Sequence, residues 1–158
     1  MLNLMSRDDY SAHRASYKSY HRDGELLAQQ SLYYLAGTAN IGGNHWISFV
    51  INSASHRILI SDSMLKNSGG IDALKKGAYR HCIESIKWWL HHSHTANDLL
   101  PPSYTVDVLH VHEQTDRSSC GLYAHNSLDR YFNPQDHIQL VPSSMKNPRT
   151  LLFTRIAC

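Results

Sequence analysis

The sequence predicts an α+β domain, and three observations carry that prediction. Its β-rich and helix-periodic segments follow in the order strand, strand, helix, strand, helix, not the regular alternation of a parallel α/β sheet. The first two clear strands are joined by the short link Asn52–His56, which suits a hairpin, so the sheet contains antiparallel pairing. The last clear helix opens on Cys120-Gly121 directly after a polar loop, which puts a thiol at a helix N-terminus.

The elements follow from the residues in chain order. Residues 1–30 are polar and dotted with tyrosines (Tyr10, Tyr17, Tyr20), with Gly24 read as a break, and Leu26 to Leu35 reads as a helix end or a strand entering the core. Gly37 and Gly42-Gly43-Asn44 read as turns. His45 to Ile51 is β-rich, and Arg57 to Ser61 is a second strand. After Ser68-Gly69-Gly70, apolar residues at Ile71, Leu74, Ala78, Cys82, Ile86 and Trp89 recur in steps of three and four, an amphipathic helix ending near His91-His92-Ser93-His94. Pro101-Pro102 stops that segment, and Tyr104 to His112 reads as a strand of alternating character. Cys120 opens a helix running to about Phe132, with Ser118 or Ser119 as its cap and Leu128, Tyr131 and Phe132 on one face. Pro134, Pro142 and Pro148 mark a loop-rich tail, with Leu151-Leu152-Phe153 read as a last docking helix.

The chain has 158 residues, 42% of them hydrophobic and 18% charged, which fits one globular domain over 1–158. The net charge of +2 lacks the clustered basic footprint of a nucleic-acid binder. No apolar run approaches a membrane span, and Met1 to Met5 runs into charges, unlike a signal peptide. Cys82, Cys120 and Cys158 are odd in number and far apart, so a reducing, intracellular setting is expected rather than a disulfide framework. Cys158 is the last residue and cannot head a prenylation box. The 12 histidines make net charge sensitive to mild acidification. His91, His92, His94, His110 and His112 invite a metal reading, but no Cys, Asp or Glu cluster completes a ligand set, so no metal or other cofactor is expected. Cys82 falls on the apolar helix stripe and reads as a core thiol.

Cys120 is the residue on which chemistry concentrates. Unpaired N–H groups and the helix dipole favour a thiolate at a first helical turn. Such a nucleophile needs a base, and the base an orienting carboxylate. His45 begins one strand of the hairpin and Asp62 lies just past the end of the other, so the two ends face each other. Gln114 precedes Cys120 by six residues, and its amide is suited to donate to an oxyanion beside the Cys120 N–H. Taken singly, a His-Trp pair in a strand is ordinary packing and a Cys-Gly an ordinary buried thiol. Four residue types in this order, at strand ends and a helix start, form a constellation.

His45-Trp46, Asp62-Ser63, Gln114 and Cys120-Gly121 together resemble the ubiquitin-like-protein protease family, the SUMO/sentrin-specific proteases and their adenovirus-protease relatives. The intervals, 17 residues from His45 to Asp62 and 58 from Asp62 to Cys120, are ordinary for that family. The resemblance covers roughly residues 31–132. It implies a papain-like cysteine protease fold of the SUMO-protease type, a central mixed sheet flanked by helices with the nucleophile at a helix N-terminus. It further implies His45 as base, Asp62 as its orienter, Cys120 as nucleophile and Gln114 as oxyanion donor. Trp46 is implied as the aromatic wall of a narrow tunnel for a Gly-Gly tail. The chain departs from the pattern in two places. Eukaryotic members usually have Asp-Cys-Gly where this chain has Ser119-Cys120-Gly121. They also have a longer N-terminal lobe with a second tunnel tryptophan, whereas residues 1–30 form a shortened lobe with no tryptophan before Trp46, and an upstream tyrosine, Tyr33 or Tyr34, is the candidate for that place.

The implied activity is cleavage after the C-terminal Gly-Gly of a ubiquitin-like modifier, SUMO or ubiquitin, by a monomer that binds no nucleic acid and no membrane. Two alternatives stand beside it. Some bacterial effectors use a similar triad to transfer acetyl groups, which requires a basic coenzyme A pocket. A catalytically dead modifier-binding module would keep the surface and lose the chemistry, yet every catalytic residue type is present.

Overall fold

The computed structural model describes residues 18–66, 69–116 and 118–135. Its elements are helix α1 (Lys18–Ala28), strands β1 (Tyr34–Ile41), β2 (His45–Asn52) and β3 (Arg57–Ser61), a 3-10 helix (Gly70–Lys75), helix α2 (Gly77–Thr95), strand β4 (Thr105–Val108) and helix α3 (Cys120–Phe132). One four-stranded sheet runs in the order β1-β2-β3-β4. β1 and β3 flank β2 antiparallel, with Ile41 opposite His45 and Ser48 opposite Ser61. β4 joins β3 in parallel, which requires a crossover, and the 3-10 helix with α2 supplies it. The sheet is therefore mixed.

Helices cover both of its faces. Ile47, Phe49 and Ile51 of β2 pack with Ile58 and Ile60 of β3 against Ile83, Ile86 and Leu90 of α2. Side chains alternate along a strand, so the intervening residues face the other way. There α3 lies on β2, and Ser48 Oγ meets Ser127 Oγ at 2.5 Å. A strand covered on both sides reads as a continuous apolar run, which is why Ile47 to Ile51 shows so little polar alternation. Among the described residues no helix is long and apolar enough to cross a membrane.

Several elements stand where the sequence puts them: the strand Arg57–Ser61, the hairpin before it and the helix Cys120–Phe132. Others differ, each for a packing reason. Gly24 does not break a helix. It lies inside α1, where a Cβ would stand 2.2 Å from Ser93 Oγ and 3.1 Å from Trp89 Cζ2, so it permits the close crossing of α1 and α2. Gly37 is no turn either. It sits within β1, and a Cβ there would come 3.0 Å from Phe49 Cζ. The β1–β2 turn is made by Gly42 and Gly43, both at positive φ (62° and 83°).

The amphipathic helix begins six residues later than its apolar spacing suggests. Ile71 falls in the 3-10 helix and is exposed, Ala78 is exposed, and the buried stripe runs Cys82, Ile83, Ile86, Trp89 and Leu90. The helix also continues through the histidine patch to Thr95, with His94 buried and hydrogen-bonded through Nδ1 to the Leu90 carbonyl at 2.8 Å. β4 ends at Val108, four residues before His112, so His110 and His112 do not share a strand. On α3 the buried residues are Cys120, Tyr123, Ala124, Asn126 and Ser127, while Phe132 is exposed. The tail residues Pro142, Pro148 and Leu151-Leu152-Phe153 lie outside the described residues.

Candidate active site

The hairpin and α3 bring the sequence-predicted residues together. β2 begins at His45, and Asp62 follows the last residue of β3. His45 Nε2 lies 2.8 Å from Asp62 Oδ1. The imidazole is 18% exposed at its side chain and the carboxylate has no exposed side-chain surface. With Nε2 engaged, Nδ1 is the ring nitrogen left for Cys120, whose nearness raises the His45 pKa. The hydrogen bond to Asp62 raises the His45 pKa, burial lowers it, and the charges of Asp62 and Cys120 raise it further. Its net direction is upward.

Burial pushes the Asp62 carboxyl up, but hydrogen bonds from His45, Tyr79 and the Met64 N–H together hold it below the ordinary carboxylate value. The Met64 N–H donates to Oδ1 at 2.7 Å, and the Tyr79 hydroxyl donates to Oδ2. Cys82, by contrast, sits in the core with its thiol pushed up to about 11 by burial, which keeps it inert at neutral pH.

Cys120 is the first residue of α3, where N–H groups have no helical carbonyl to bond. Ser119 is the cap position, but neither serine hydroxyl caps the helix. Asp116 organises the turn instead, its Oδ1 accepting the N–H of Ser118 at 2.7 Å and of Ser119 at 2.8 Å.

Gln114 is buried and lies beyond β4, in the extended segment leading to this turn. Its backbone N–H donates to the Ser63 carbonyl at 3.1 Å. Its Nε2 donates to the Asp116 carbonyl at 2.8 Å, and its Oε1 accepts from Ser63 Oγ at 2.5 Å. A carbonyl can only accept, so Asp116 fixes which end of the amide is nitrogen. One Nε2–H remains after that bond. Trp46 packs on the other side of the nucleophile: a Cβ on Gly121 would lie 3.7 Å from its Cδ1.

Three contributors escape sequence reading. Tyr79 lies one position from Ala78, the residue assigned to the apolar stripe, and only the phase of α2 reveals that it faces Asp62. Ser63 was visible as the neighbour of Asp62 but without a task, and Asp116 as no more than a polar loop residue. Tyr33 and Tyr34 do not stand near Trp46. Tyr34 pairs with Asn52 at the far end of β2 and packs edge-on against Tyr131 and Phe132, at the opposite end of α3 from Cys120. Among the described residues no group of three His, Cys, Asp or Glu side chains could hold a metal ion.

No curated protein matches the chain. Among solved structures, the C-terminal Ulp1 protease domain in complex with Smt3, the yeast ortholog of SUMO, is similar at 16% identity and a TM-score of 0.48, covering 72% of this chain and 50% of that one. ChlaDub1 from Chlamydia trachomatis is similar at 18% identity and a TM-score of 0.42, covering 90% of this chain and 53% of that one. The chain thus spans about half the length of these two solved proteins. Residues 38–156 match the family model described as the Ulp1 protease family, C-terminal catalytic domain, and with that match over most of its length the chain belongs to the Ulp1 protease family.

Proposed function

We propose that the protein is a thiol isopeptidase and processing peptidase that cleaves after the C-terminal Gly-Gly of a ubiquitin-like modifier, SUMO or ubiquitin. The observation that carries this reading is the 2.8 Å His45–Asp62 bond, on an imidazole whose pKa Cys120 raises from a helix start, in a member of a protease family. In the proposed reaction the Cys120 thiolate attacks the terminal glycyl carbonyl carbon, with His45 as the imidazolium. The resulting oxyanion is held by the Cys120 N–H and the remaining Nε2–H of Gln114. As the C–N bond breaks, His45 gives its proton to the departing lysine amine, leaving a thioester. A water then attacks the thioester, with neutral His45 taking its proton, and the modifier leaves with a free carboxylate as the thiol is restored.

Asp62 keeps the imidazole oriented and favours its charged form. Trp46 lines the channel for the two glycines, a role supported by its place against Gly121 beside the nucleophile. The enzyme works inside cells as a single 1–158 domain and a monomer; both cysteines among the described residues are free, and all four chemical groups come from one chain.

The test is a panel of ubiquitin-like modifiers, each ending in a C-terminal electrophile. One modifier should form a covalent adduct on Cys120, with Cys82 and Cys158 unmodified, and His45→Ala should abolish it. An adduct on Cys82, or none across SUMO and ubiquitin, rejects the reading. Acetyl transfer from acetyl coenzyme A with no modifier adduct would favour the transferase instead.

A further inference from the structure

Helix α2 delivers a polar group to the site for which the triad itself has no task. The Asp62 side chain is wholly withdrawn from solvent, and a buried carboxylate keeps its charge only while its oxygens are hydrogen-bonded. Oδ1 accepts from His45 Nε2 and from the Met64 N–H. Oδ2 accepts from the Tyr79 hydroxyl, its only hydrogen-bond partner among the described residues. Donors on both oxygens leave the carboxylate one orientation, with Oδ1 turned to the imidazole.

We propose that Tyr79 is a positioning residue of the hydrolytic site, holding the Asp62 carboxylate charged and aligned so that Asp62 can in turn hold His45. The inference rests on the triad reading above and assigns α2 a part in it. The groups facing Asp62 are His45 from β2 and Tyr79 from α2, with Cys120 of α3 acting through His45. The charged side chains lining the cavity beside Asp62 are engaged with others: Lys66 pairs with Glu113 at 3.1 Å, and Asp107 pairs with Arg57 and feels His110. None of them replaces the phenol.

Tyr79→Phe removes one oxygen and keeps the ring that packs against the core. Oδ2 is then buried without a donor, so Asp62 takes up a proton at higher pH or turns away from His45. Either change weakens the support that keeps His45 protonated. The pH window in which His45 and Cys120 form an ion pair should therefore narrow from both sides. The acid limb moves up because Asp62 protonates sooner, and the basic limb moves down because His45 loses its proton sooner.

The readout needs no modifier: iodoacetamide alkylation of Cys120 in the full chain, followed by mass spectrometry across pH, for wild type, Tyr79→Phe, Asp62→Asn and the double variant. Wild type should alkylate at Cys120 and leave Cys82, whose thiol burial pushes up to about 11, unmodified near neutral pH. Tyr79→Phe should show the acid limb moved up, the step from ion pair to free thiolate moved down, and the ion-pair plateau rate between them reduced on the order of 10-fold, the scale of one hydrogen bond to a charged group. In the Asp62→Asn background the same change should cost nothing further. Unmoved limbs in Tyr79→Phe, or an equal loss in the Asp62→Asn background, overturn the proposal. If Tyr79→Phe is too unstable to assay, Tyr79→Gln and Tyr79→Leu are compared. Limbs nearer wild type for Gln support the proposal, and coincident profiles overturn it. A wild-type Cys120 that behaves as an ordinary thiol rejects the triad reading along with this one, whereas a wild-type ion-pair profile left unmoved by Tyr79→Phe rejects this one alone.

Discussion

At the scale of single residues, the chemistry of this chain is a matter of which thiol and which carboxylate are given partners. Cys82 and Cys120 are both buried, yet only Cys120 stands at a helix start and raises the pKa of a histidine. His45→Ala should remove nearly all turnover of a modifier carrying a fluorogenic C-terminal amide. Asp62→Ala should lose less, because Asp62 orients the ring without carrying the transferred proton. Gln114→Ala should lower kcat about 100-fold or more if its free N–H meets the oxyanion. Near wild-type kcat for both His45→Ala and Asp62→Ala would reject the arrangement. The same residues predict a pH dependence of stability. The Asp62 pKa is lowered by folding, so its contribution is complete above the unfolded value near 3.8 and is lost as pH falls through the lower folded value. The His45 pKa is raised, so its contribution is complete below the unfolded value near 6.5 and is lost as pH rises through the folded value. Melting temperatures measured across pH for wild type and Asp62→Asn should converge at the acid end, where the wild-type carboxylate is protonated. A gap that stays constant into acid would contradict the lowered value.

At the scale of elements, the site depends on how closely helices approach one another and the sheet. α1 meets α2 through Gly24, where a Cβ would come within 2.2 Å of Ser93 Oγ. Gly24→Ala should therefore destabilise the fold by roughly 1–3 kcal/mol, the ordinary cost of overpacking, although alanine is the better helix former. Thermal denaturation decides between them: a raised melting temperature would mean that propensity outweighs the clash. α2, held by that crossing, is also the helix that carries Tyr79 to Asp62. At α3 the turn before Cys120 is held by the Asp116 carboxylate, and the Asp116 carbonyl also orients the Gln114 amide. Cys120 and the Gln114 amide, the proposed nucleophile and oxyanion donor, are thus set by one short loop.

At the scale of the whole molecule, the site lies at one end of the sheet, where the start of β2, the end of β3 and the start of α3 meet. The channel proposed there lies between Trp46 and the first turn of α3, and its narrowness is a specificity device. A modifier whose penultimate glycine is replaced by alanine should be cut about one to two decades more slowly, because a methyl group in a close-packed channel costs roughly 1–3 kcal/mol. Trp46→Ala should reduce that discrimination while weakening productive binding. Measuring kcat/KM for both tails on both enzymes settles it, and equal rates for the two tails on wild type would mean an open cleft. The sequence by itself determined the α+β class, the hairpin, the helix from Cys120 to Phe132 and the meeting of His45 with Asp62. All of these follow from short-range periodicity and from a link too short to allow another connection. Cys120, 58 residues further on, is marked in the sequence by its place at a helix start, and its pairing with His45 is what the family resemblance implies. What the tertiary structure alone decided are contacts between surfaces far apart in the chain. Gly24 and Gly37 are clearances for Ser93 and Phe49 rather than breaks. α3 buries Ser127 against a serine of β2, Ser48. Tyr33 and Tyr34 are carried to the wrong end of β2 by the register of β1. Tyr79, in the first turn of α2, reaches Asp62 across 17 residues of chain, a contact no local pattern encodes. Periodicity tells which residues share a face; only packing tells which way that face is turned.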